Sequence, residues 1–405
     1  MSGSGWRSAV IGDCLVPLSL AGKAKIQTRD YRPSGRFPVI DQGQTKIAGW
    51  TDEKNAVIDS HLPLIVFGDH TRVLKYVDFP FARGADGTQL LKPKDGIDPL
   101  FFYYACRAID LPGRGYNRHF SILKEKSVSY PVNEKEQSQI GHILRSIEKA
   151  VDVQSELVTL TENIMKAAMR EVFTRGLRGE AQKETEIGLV PESWEIDRLG
   201  AHHSVVSGGT PSRSNPAFWS GGTIPWVKTT EIAYCVINAT EEHITRQGLD
   251  SSAAKLLPAG TLLMAMYGQG VTRGKVAILG IEAACNQACA AITPTDHAVR
   301  PRYLYHFLTW RYDAIRSLAH GGQQQNLNLE IVRDLAVAYP ASQEEQDENV
   351  EMLDTLDRKI ALHQRKRAAL EELFKSLLYK LMTDEIRVAD LDLSVIEERS
   401  EAVRV

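Results

Sequence analysis

The sequence predicts an α+β protein: two similar mixed α/β segments separated by a long antiparallel two-helix coiled coil, with internal pseudo-two-fold symmetry. The first observation is a repeat, in which Tyr130-Pro131 is followed by Glu136-Gln137 and, 209 positions later, Tyr339-Pro340 is followed by Glu345-Gln346. The second is that each copy opens a long helix with apolar residues at heptad spacing. The third is that each helix follows a segment of short apolar runs broken by Gly, Pro and Asp, which is typical of mixed α/β structure.

The repeat divides the chain into successive parts. We expect a first globular domain, a first long helix, a linker with a second globular domain, a second long helix and an acidic tail, at residues 1–129, 130–179, 180–340, 341–388 and 389–405. Because the linker after Gly176 is short, the second helix must return along the first, so the two helices should be antiparallel.

Composition is that of an ordinary soluble protein, since 43% of the 405 residues are hydrophobic and 24% are charged. This length suffices for two or three domains with their own cores. We find no apolar run of about 20 residues and no secretory signal at the N-terminus. The five cysteines are odd in number and scattered, so we expect free thiols, no metal site and a reducing cytoplasm.

The formal net charge of −3 argues against a nucleic-acid binder, but its distribution weakens that objection. Residues 1–130 have 18 Lys and Arg against 13 Asp and Glu, and residues 188–340 have 12 of each. The negative excess therefore lies in the long helices and the tail. Both globular segments can carry a DNA-binding face, although charge alone does not demand one.

The two globular segments have the same order of parts. In the first we predict strands at 37–40, 62–67 and 73–77, a Pro-first helix at 99–105 and a loop at 113–120. In the second we predict strands at 224–227, 260–267 and 275–279, a Pro-first helix at 301–308 and a loop at 321–329. Asn117 in the first loop corresponds to Asn326 in the second, and either could cap a turn or contact a base.

Each long helix has a narrow apolar seam. The predicted seam residues are Ile140, Leu144, Ile147, Val151, Val158 and Met165 in the first helix, and Leu353, Leu356, Ile360, Leu370, Phe374 and Leu377 in the second. Gln154 and Thr161 interrupt the first seam, and His363 and Arg367 the second. Such polar residues either fix the helix register or are tolerated at an exposed edge. Glu134, Glu136 and Gln137, with Glu344, Glu345 and Gln346, should cap the first turns.

The chain resembles the specificity (S) subunit of a type I restriction–modification system. The resembling residues are Gly208-Gly209-Thr210-Pro211 with 224–228, residues 37–44, and both Tyr-Pro…Glu-Gln helices. The resemblance implies two target-recognition domains, each reading one half of a split DNA sequence. It also implies helices that set the spacer and dock two methyltransferase subunits, with restriction subunits added outside.

In such a complex the S subunit does no chemistry. The resemblance places S-adenosylmethionine on the methyltransferase subunit, and ATP and Mg on the restriction subunit. The first segment departs from the family pattern because it lacks a Gly-Gly-Thr-Pro opening.

Two other classes of protein compete with this interpretation. A stand-alone adenine-specific DNA methyltransferase needs an Asn-Pro-Pro-Tyr-like turn, but Asn215-Pro216-Ala217-Phe218 has Ala where the second Pro is needed. Gly268-Gln269-Gly270 follows a strand, yet no helix-forming segment comes after it to complete a cofactor loop. A scaffold that does not bind DNA is the third hypothesis, and it predicts no salt-dependent DNA binding.

Base edges are read by Arg, Asn and Gln, while Lys, Arg, Ser and Thr hold phosphates. The predicted DNA-binding residues of the first segment are Arg32, Arg36, Gln42, Gln44, Lys46, Arg72, Arg114, Asn117 and Arg118. Those of the second are Thr210, Arg213, Lys228, Thr229, Gln269, Thr272, Arg273, Lys275, Gln323, Gln324 and Gln325. For each, the competing interpretation is a solvated surface residue. The aromatics Trp219, Trp226 and Tyr267 should belong to the core.

Overall fold

The computed structural model describes residues 5–20, 22–84, 87–112, 118–268, 271–318 and 326–391. It divides into two compact units: unit 1 comprises residues 1–155 and 364–405, and unit 2 comprises residues 156–363. Each unit therefore contains one globular segment and one half of each long helix. This division differs from the predicted boundaries, which assign the helices to domains of their own.

The strands and helices of unit 1 precede the first long helix. The strands are β1 (Trp6–Val10), β2 (Phe37–Ile40), β3 (Gly49–Thr51), β4 (Val57–Ile58), β5 (Leu64–Gly68), β6 (Leu74–Val77), β7 (Phe81–Arg83), β8 (Thr88–Leu91) and β9 (Ser127–Pro131). The helices are α1 (Pro99–Arg107), α2 (Phe120–Glu125) and the first long helix, α3 (Glu134–Arg175).

The described residues of unit 1 form three small sheets. Strand β1 pairs with β9, the second sheet has the order β3-β2-β7-β4, and the third has the order β6-β5-β8. Within the second sheet, β2 is antiparallel to β3 but parallel to β7, with Val39 opposite Ala82. Helix α1 begins with Pro99, and the Asp98 carboxylate accepts a hydrogen bond from the Phe101 N–H at 2.8 Å, so its first turn is capped.

Unit 2 continues from the end of α3. Its strands are β10 (Gln182–Thr185), β11 (Gly188–Pro191), β12 (Glu195–Arg198), β13 (His203–Ser207), β14 (Ile224–Val227), β15 (Val236–Ile237), β16 (Glu242–Ile244), β17 (Leu262–Ala265), β18 (Val276–Leu279), β19 (Ala284–Cys285), β20 (Cys289–Pro294) and β21 (Ala336–Tyr339). Its helices are α4 (Leu199–His202), α5 (Arg246–Asp250), α6 (Pro301–Trp310), α7 (Tyr312–Ser317), α8 (Leu329–Arg333) and the second long helix, α9 (Gln343–Met382).

The sheets of unit 2 repeat those of unit 1. Strand β12 pairs with β21 as β1 pairs with β9. The second strand of each pair, β9 or β21, directly precedes a long helix. Strand β14 is antiparallel to β16 and parallel to β19, as β2 is to β3 and β7. A five-stranded sheet, β13-β20-β17-β18-β15, contains the counterpart of the β5–β6 hairpin in its β17–β18 pair, and a two-stranded sheet joins β10 to β11. The predicted duplication is therefore a duplication of topology.

The same buried glutamine anchors the start of each long helix. The Gln137 amide donates to the Pro131 and Gly96 carbonyls at 2.8 and 3.1 Å, and its oxygen accepts from the Asp98 N–H at 2.8 Å. The Gln346 amide makes the equivalent bonds to the Pro340 and Ala298 carbonyls and the Arg300 N–H, at 2.9, 2.7 and 2.9 Å.

These side chains do not cap the helices, so the prediction that both glutamines cap first turns was wrong. Caps come from Asn133, which accepts from the Lys135 N–H, and from Ser342, which accepts from the Glu345 N–H. Each glutamine instead ties its long helix to the preceding strand and to the loop before the Pro-first helix.

The long helices pack against the globular segment of each unit and against each other. In unit 1, Ile140, Leu144 and Ile147 of α3 share a core with α1, while Leu370, Phe374 and Leu377 of α9 pack against it. In unit 2, Met165 and Leu353 belong to one core, against which Leu356 and Ile360 pack. Val151 is half-buried and Val158 is buried.

Contacts within unit 2 fix the helix direction. Arg178, just after α3, forms ion pairs with Glu345 and Glu348 near the start of α9, at 3.6 and 3.3 Å. One helix therefore ends where the other begins. Since unit 1 combines the start of α3 with the end of α9, the two helices are antiparallel, as predicted.

Local structure departs from the sequence prediction in three places. The short helices α2 and α8, which were not predicted, begin at the last residues of the predicted loops 113–120 and 321–329. The strand predicted at 260–267 is shorter, and Tyr267 lies beyond its end with 42% of its surface exposed. The assignment of Tyr267 to the core was therefore wrong, whereas Trp226 is buried at 2% exposure. No helix in the described part of the chain is long and apolar enough to cross a membrane.

Candidate nucleic-acid interface

Four loops meet in each unit, and we call them the loop cluster. In unit 1 they are the segment after β2, the β5–β6 turn, the β7–β8 turn and the segment before α2. In unit 2 they are the segment after β14, the β17–β18 turn, the β19–β20 turn and the segment before α8. Most of the predicted DNA-binding residues fall on these loops, although they are far apart in sequence.

Three backbone hydrogen bonds hold the loop cluster of unit 1 together. The Gly84 N–H donates to the Ile40 carbonyl at 2.8 Å, which joins the β7–β8 turn to the end of β2. The Asp69 N–H donates to the Gly87 carbonyl at 2.7 Å, and the His119 N–H donates to the Asp69 carbonyl at 3.0 Å. All four loops are linked through this series.

Unit 2 contains the same three bonds between equivalent residues. The Asn286 N–H donates to the Val227 carbonyl at 3.0 Å. The Met266 N–H donates to the Ala288 carbonyl at 2.8 Å, and the Leu327 N–H donates to the Met266 carbonyl at 3.1 Å. Because side chains differ while the backbone bonds persist, each unit presents a similar loop framework with its own chemistry.

Side chains reinforce the framework in unit 1. The Thr71 hydroxyl donates to the Gln42 carbonyl at 2.5 Å, and the Gln42 side-chain oxygen accepts from the His70 N–H at 3.3 Å. Gln44, Lys46, Arg72 and Arg118 are exposed. The structure thus brings Gln42 and Arg72 into one cluster, although they lie on loops about 30 residues apart in sequence.

Arg32 and Arg36 lie on a different part of unit 1. The Arg32 guanidinium pairs with the Asp52 carboxylate at 2.7 Å, and the Arg36 N–H donates to the other Asp52 oxygen at 3.0 Å. Their bonds lead to the end of β3 and not to the loop cluster. A role in DNA binding stays a prediction for both.

The Gly-Gly-Thr-Pro segment, residues 208–211, packs against the β19–β20 turn of the unit 2 loop cluster. The Gly209 N–H donates to the Cys285 carbonyl at 2.9 Å, and a Cβ on Gly208 would lie 2.1 Å from that carbonyl oxygen. The Thr210 hydroxyl donates to the side-chain oxygen of Gln287, an exposed residue at the tip of the β19–β20 turn. Gln287 was not among the predicted residues. Its position as a polar residue between two short apolar runs, β19 and β20, is the signal that could have identified it.

Two of the predicted DNA-binding cations of unit 2, Arg213 and Lys228, form ion pairs with neighbouring glutamates. Lys228 forms ion pairs with Glu241 and Glu242, at 2.6 and 3.2 Å, and their hydrogen bonds raise the pKa of Lys228. The Arg213 guanidinium pairs with Glu242 and lies 3.8 Å from the centroid of the Trp219 ring. Hydrogen bonding from Arg213 lowers the pKa of Glu242. These cations can reach a phosphate only by exchanging a carboxylate for it.

The remaining predicted residues of unit 2 have varied environments. Arg273 is 9% exposed, Thr272 and Thr229 are half-buried, and the Lys275 ammonium lies 5.6 Å from the centroid of the Tyr234 ring. The remaining candidates lie outside the described residues: Arg114, Asn117, Gln269, Gln323, Gln324 and Gln325. Asn326 is described and exposed, but the cap of α8 is Asn328, which accepts from the Ile331 N–H at 2.8 Å.

One side-chain group among the described residues has a ligand set suited to a metal ion. It combines buried His306 with Asp354 and Asp357 of α9. The Arg302 guanidinium already bonds both carboxylates, at 2.7 and 3.2 Å, and the His306 Nε2 lies 2.7 Å from Asp354. A cation would have to displace Arg302, so the arrangement is better suited to joining α6 to α9.

Comparison with known proteins identifies the framework. Residues 191–372 match the type I restriction modification DNA specificity domain. The Escherichia coli EcoR124I/EcoR124II specificity subunit is 24% identical over 347 residues, 83% of each chain. The MjaIX specificity subunit of Methanocaldococcus jannaschii is 29% identical over 203 residues, 48% of this chain and 46% of that one.

Two solved structures share the fold. The type I restriction–modification S subunit from M. genitalium has a TM-score of 0.67 and 16% identity, covering 94% of this chain and 97% of that chain. A chain from a structure describing complex assembly and conformational transition of the type I R-M system has a TM-score of 0.53 and 17% identity, covering 93% and 97%.

Residues 191–372, which are most of unit 2 with the part of α9 that follows it, therefore match the DNA specificity domain of the type I restriction–modification class. The sequence relatives, which are specificity subunits of type I restriction enzymes, extend this similarity to most of the chain.

Proposed function

We propose that each unit reads one half of a bipartite DNA target through its loop cluster. The observation that carries this proposal is the same set of three backbone hydrogen bonds in both units. A shared framework with different exposed side chains suits two readers of the same kind with different preferences. Arg72, Gln42 and Gln44 in unit 1, and Thr210 and Gln287 in unit 2, supply the donors and acceptors that base edges and phosphates require.

We further propose that the long helices set the spacer between the two half-targets and dock two methyltransferase subunits. Both helices expose large apolar side chains, which a soluble helix that needs no partner would bury or replace. In unit 2 these are Leu160, Ile164 and Leu362, at 56, 47 and 42% exposure. In unit 1 they are Val153, Leu373 and Tyr379, at 49, 45 and 61% exposure.

The chemistry of the complex belongs to other subunits in this proposal. Methyltransferase subunits would hold S-adenosylmethionine, and restriction subunits would hold ATP and Mg. The relatives support this division because they are described as specificity subunits of restriction enzymes. The near-match to a methyltransferase motif has a structural role, since the Asn215 side chain accepts from the Ala217 N–H at 3.1 Å and caps a short 3-10 turn.

Mapping methylated adenines in a host tests the proposal. A host that carries this chain and its methyltransferase should methylate a split motif, and a host that lacks this chain should not. Methylation by the purified chain alone would instead support the stand-alone methyltransferase. Absence of salt-dependent DNA binding would remove the role of the loop clusters and favour the scaffold.

A further inference from the structure

A cleft of about 710 Å³ lies beside the loop cluster of unit 1. One wall is the β5–β6 turn with the segment after β2, another is the end of α1, and the third is the long helix α3. Six cationic side chains line it, namely Lys46, Arg72, Lys75, Arg107, Arg145 and Lys149, against the three acids Asp110, Glu148 and Asp152.

Half of these cations have a carboxylate partner in unit 1. Lys75 pairs with Asp41 at 3.6 Å, Arg107 with Glu148, and Arg145 with Asp78 at 3.7 Å. Lys46, Arg72 and Lys149 are exposed and form no ion pair with any described residue. Their charges come from three separate segments of the chain and line one cleft.

Arg72 has an unfavourable backbone conformation. Its φ of 63° lies in the left-handed region, which a residue with a long side chain rarely adopts. The guanidinium is fixed by donating to the Leu111 carbonyl at 2.6 Å. Strain of this kind persists where the surrounding structure enforces it, and it is concentrated at functional sites. Glycine or asparagine would fit this turn with less strain, so the presence of arginine indicates that the side chain has a use.

The equivalent cleft of unit 2 has a different lining. It has about 820 Å³ and lies between the β17–β18 turn, α6, α3 and α9. Three cations, Lys166, Arg170 and Lys275, are matched there by Glu162, Asp313 and Asp357, and the walls carry Tyr234, Tyr305, Trp310 and Tyr312. The positive surplus is therefore a property of the unit 1 cleft and not of the shared fold.

We propose that the unit 1 cleft binds the phosphodiester backbone of duplex DNA, with Lys149 of the long helix, Lys46 and Arg72 as the phosphate contacts. The inference rests on the proposed function and extends it, because it makes the long helix a part of the DNA-binding surface. Lysine and arginine without carboxylate partners are the groups that release counterions when they meet a phosphate. Such contacts strengthen binding to any sequence and set the position of the reading loops.

The test uses the full chain in complex with methyltransferase subunits, titrated with target and non-target duplexes over a range of salt concentrations. Lys149→Ala should weaken binding to both duplexes alike and reduce the salt slope by about one. Lys135→Ala removes an exposed lysine from the first turn of the same helix, outside the cleft, and should leave the slope unchanged. Equal slopes for Lys149→Ala and the wild type would overturn the proposal.

Arg72→Gly provides a second variant. It relieves the left-handed backbone but also removes the bond to the Leu111 carbonyl, so the affinity for DNA and not the Tm decides the outcome. Affinity for both duplexes should fall several-fold, and unchanged affinity would overturn the role of Arg72. If Lys149→Ala lost the methyltransferase subunits with an unchanged salt slope, the cleft would be a protein interface and the proposal would be wrong.

The wild-type titration separates this inference from the proposed function. Wild-type preference for the target duplex, with no effect of either variant on DNA binding, would reject the cleft and retain the loop clusters as readers. Wild-type binding without preference between the two duplexes would reject the proposed function itself.

Discussion

Two buried glutamines show how single residues join the parts of each unit. Gln137 and Gln346 have no exposed surface, and each makes three hydrogen bonds to the backbone of two other segments. Alanine at either position would leave two carbonyl oxygens and one N–H without this partner, and the bond to Pro131 or Pro340 is fully buried. Since each such group costs about 1–3 kcal/mol, these residues are strong determinants of the fold.

We therefore predict that Gln346→Ala lowers the free energy of unfolding by about 3 kcal/mol or more. Gln343→Ala is the matched control, because Gln343 makes one exposed bond to the His297 carbonyl at 2.7 Å. Its cost should stay within about 1 kcal/mol. Urea denaturation measures both values, and similar costs for the two variants would contradict the role of Gln346.

A histidine in unit 2 makes stability depend on pH. His202 Nδ1 lies 2.8 Å from Asp296, and its Nε2 lies 3.3 Å from Asp197, which also accepts from the Tyr339 hydroxyl at 2.6 Å. The hydrogen bond to Asp296, with help from Asp197, raises the pKa of His202. The hydrogen bond from the Tyr339 hydroxyl, followed by that from His202, lowers the pKa of Asp197, and the hydrogen bond from His202 lowers the pKa of Asp296. Neighbouring His203 behaves oppositely, since burial lowers its pKa to about 4.

Because its folded-state pKa is raised, His202 stabilises the protein fully below about pH 6.5 and loses this contribution as pH rises through the folded-state value. We predict that His202→Gln destabilises the protein more at about pH 5.5 than at about pH 8.5. His203 titrates in the wild type and in His202→Gln alike, so its contribution largely cancels when their free energies of unfolding are subtracted. Urea unfolding at both pH values measures it, and an equal or larger loss at the higher pH would refute this assignment.

At the scale of elements, sequence periodicity was a good guide to the long helices and a poor one to the loops. The heptad pattern and the 209-residue offset suffice to predict α3 and α9, because the buried face of a helix appears in the sequence as apolar residues three and four positions apart. Proline followed by apolar residues similarly predicts α1 and α6. The exposure of Tyr267 was not predictable, since it depends on where β17 ends and not on its own apolar character.

The loop clusters could be predicted only in part, for a physical reason. Residues such as Gln42 and Lys228 follow apolar strands, so their place at strand ends is visible in the sequence. The hydrogen bonds that join Asp69 to Gly87, or Met266 to Ala288, connect distant backbone groups and leave no local pattern. Gln287 lies between two apolar strands, but its contact with Thr210 spans 77 residues and could not be predicted from local sequence.

The Gly-Gly-Thr-Pro segment is an element whose composition follows from close packing. A Cβ on Gly208 would lie 2.1 Å from the Cys285 oxygen, and a Cβ on Gly209 would lie 2.2 Å from the Ala254 nitrogen. Both neighbours are backbone atoms that cannot rotate away. The two glycines therefore allow the segment to lie between the β19–β20 turn and the segment after α5.

Gly208→Ala should consequently displace the β19–β20 turn and lower the free energy of unfolding by about 2 kcal/mol. Gly5→Ala serves as the control, since nothing lies within 4 Å of a Cβ at that position. Thermal unfolding of both variants gives the comparison. A Gly208→Ala protein as stable as the control would show that the turn does not depend on this contact.

At the scale of the whole chain, the duplication connects structure to function. Strand pairing, the glutamine anchors and the loop frameworks all recur, so the chain contains two copies of one structural unit. The exposed side chains have diverged: three cations of the unit 1 cleft have no carboxylate partner among the described residues, whereas Arg213 and Lys228 of unit 2 are paired with glutamates. Two copies with a common framework and different side chains are expected to prefer different sequences.

The most direct test of this account is to exchange one reading unit and to map the methylated sequence. Residues 1–129 would be replaced by the equivalent segment of a specificity subunit with a different target, leaving both long helices and unit 2 intact. We predict a hybrid motif in which one half changes while the other half and the spacer are retained. A motif that changes in both halves, or one that does not change at all, would contradict independent reading by two duplicated units.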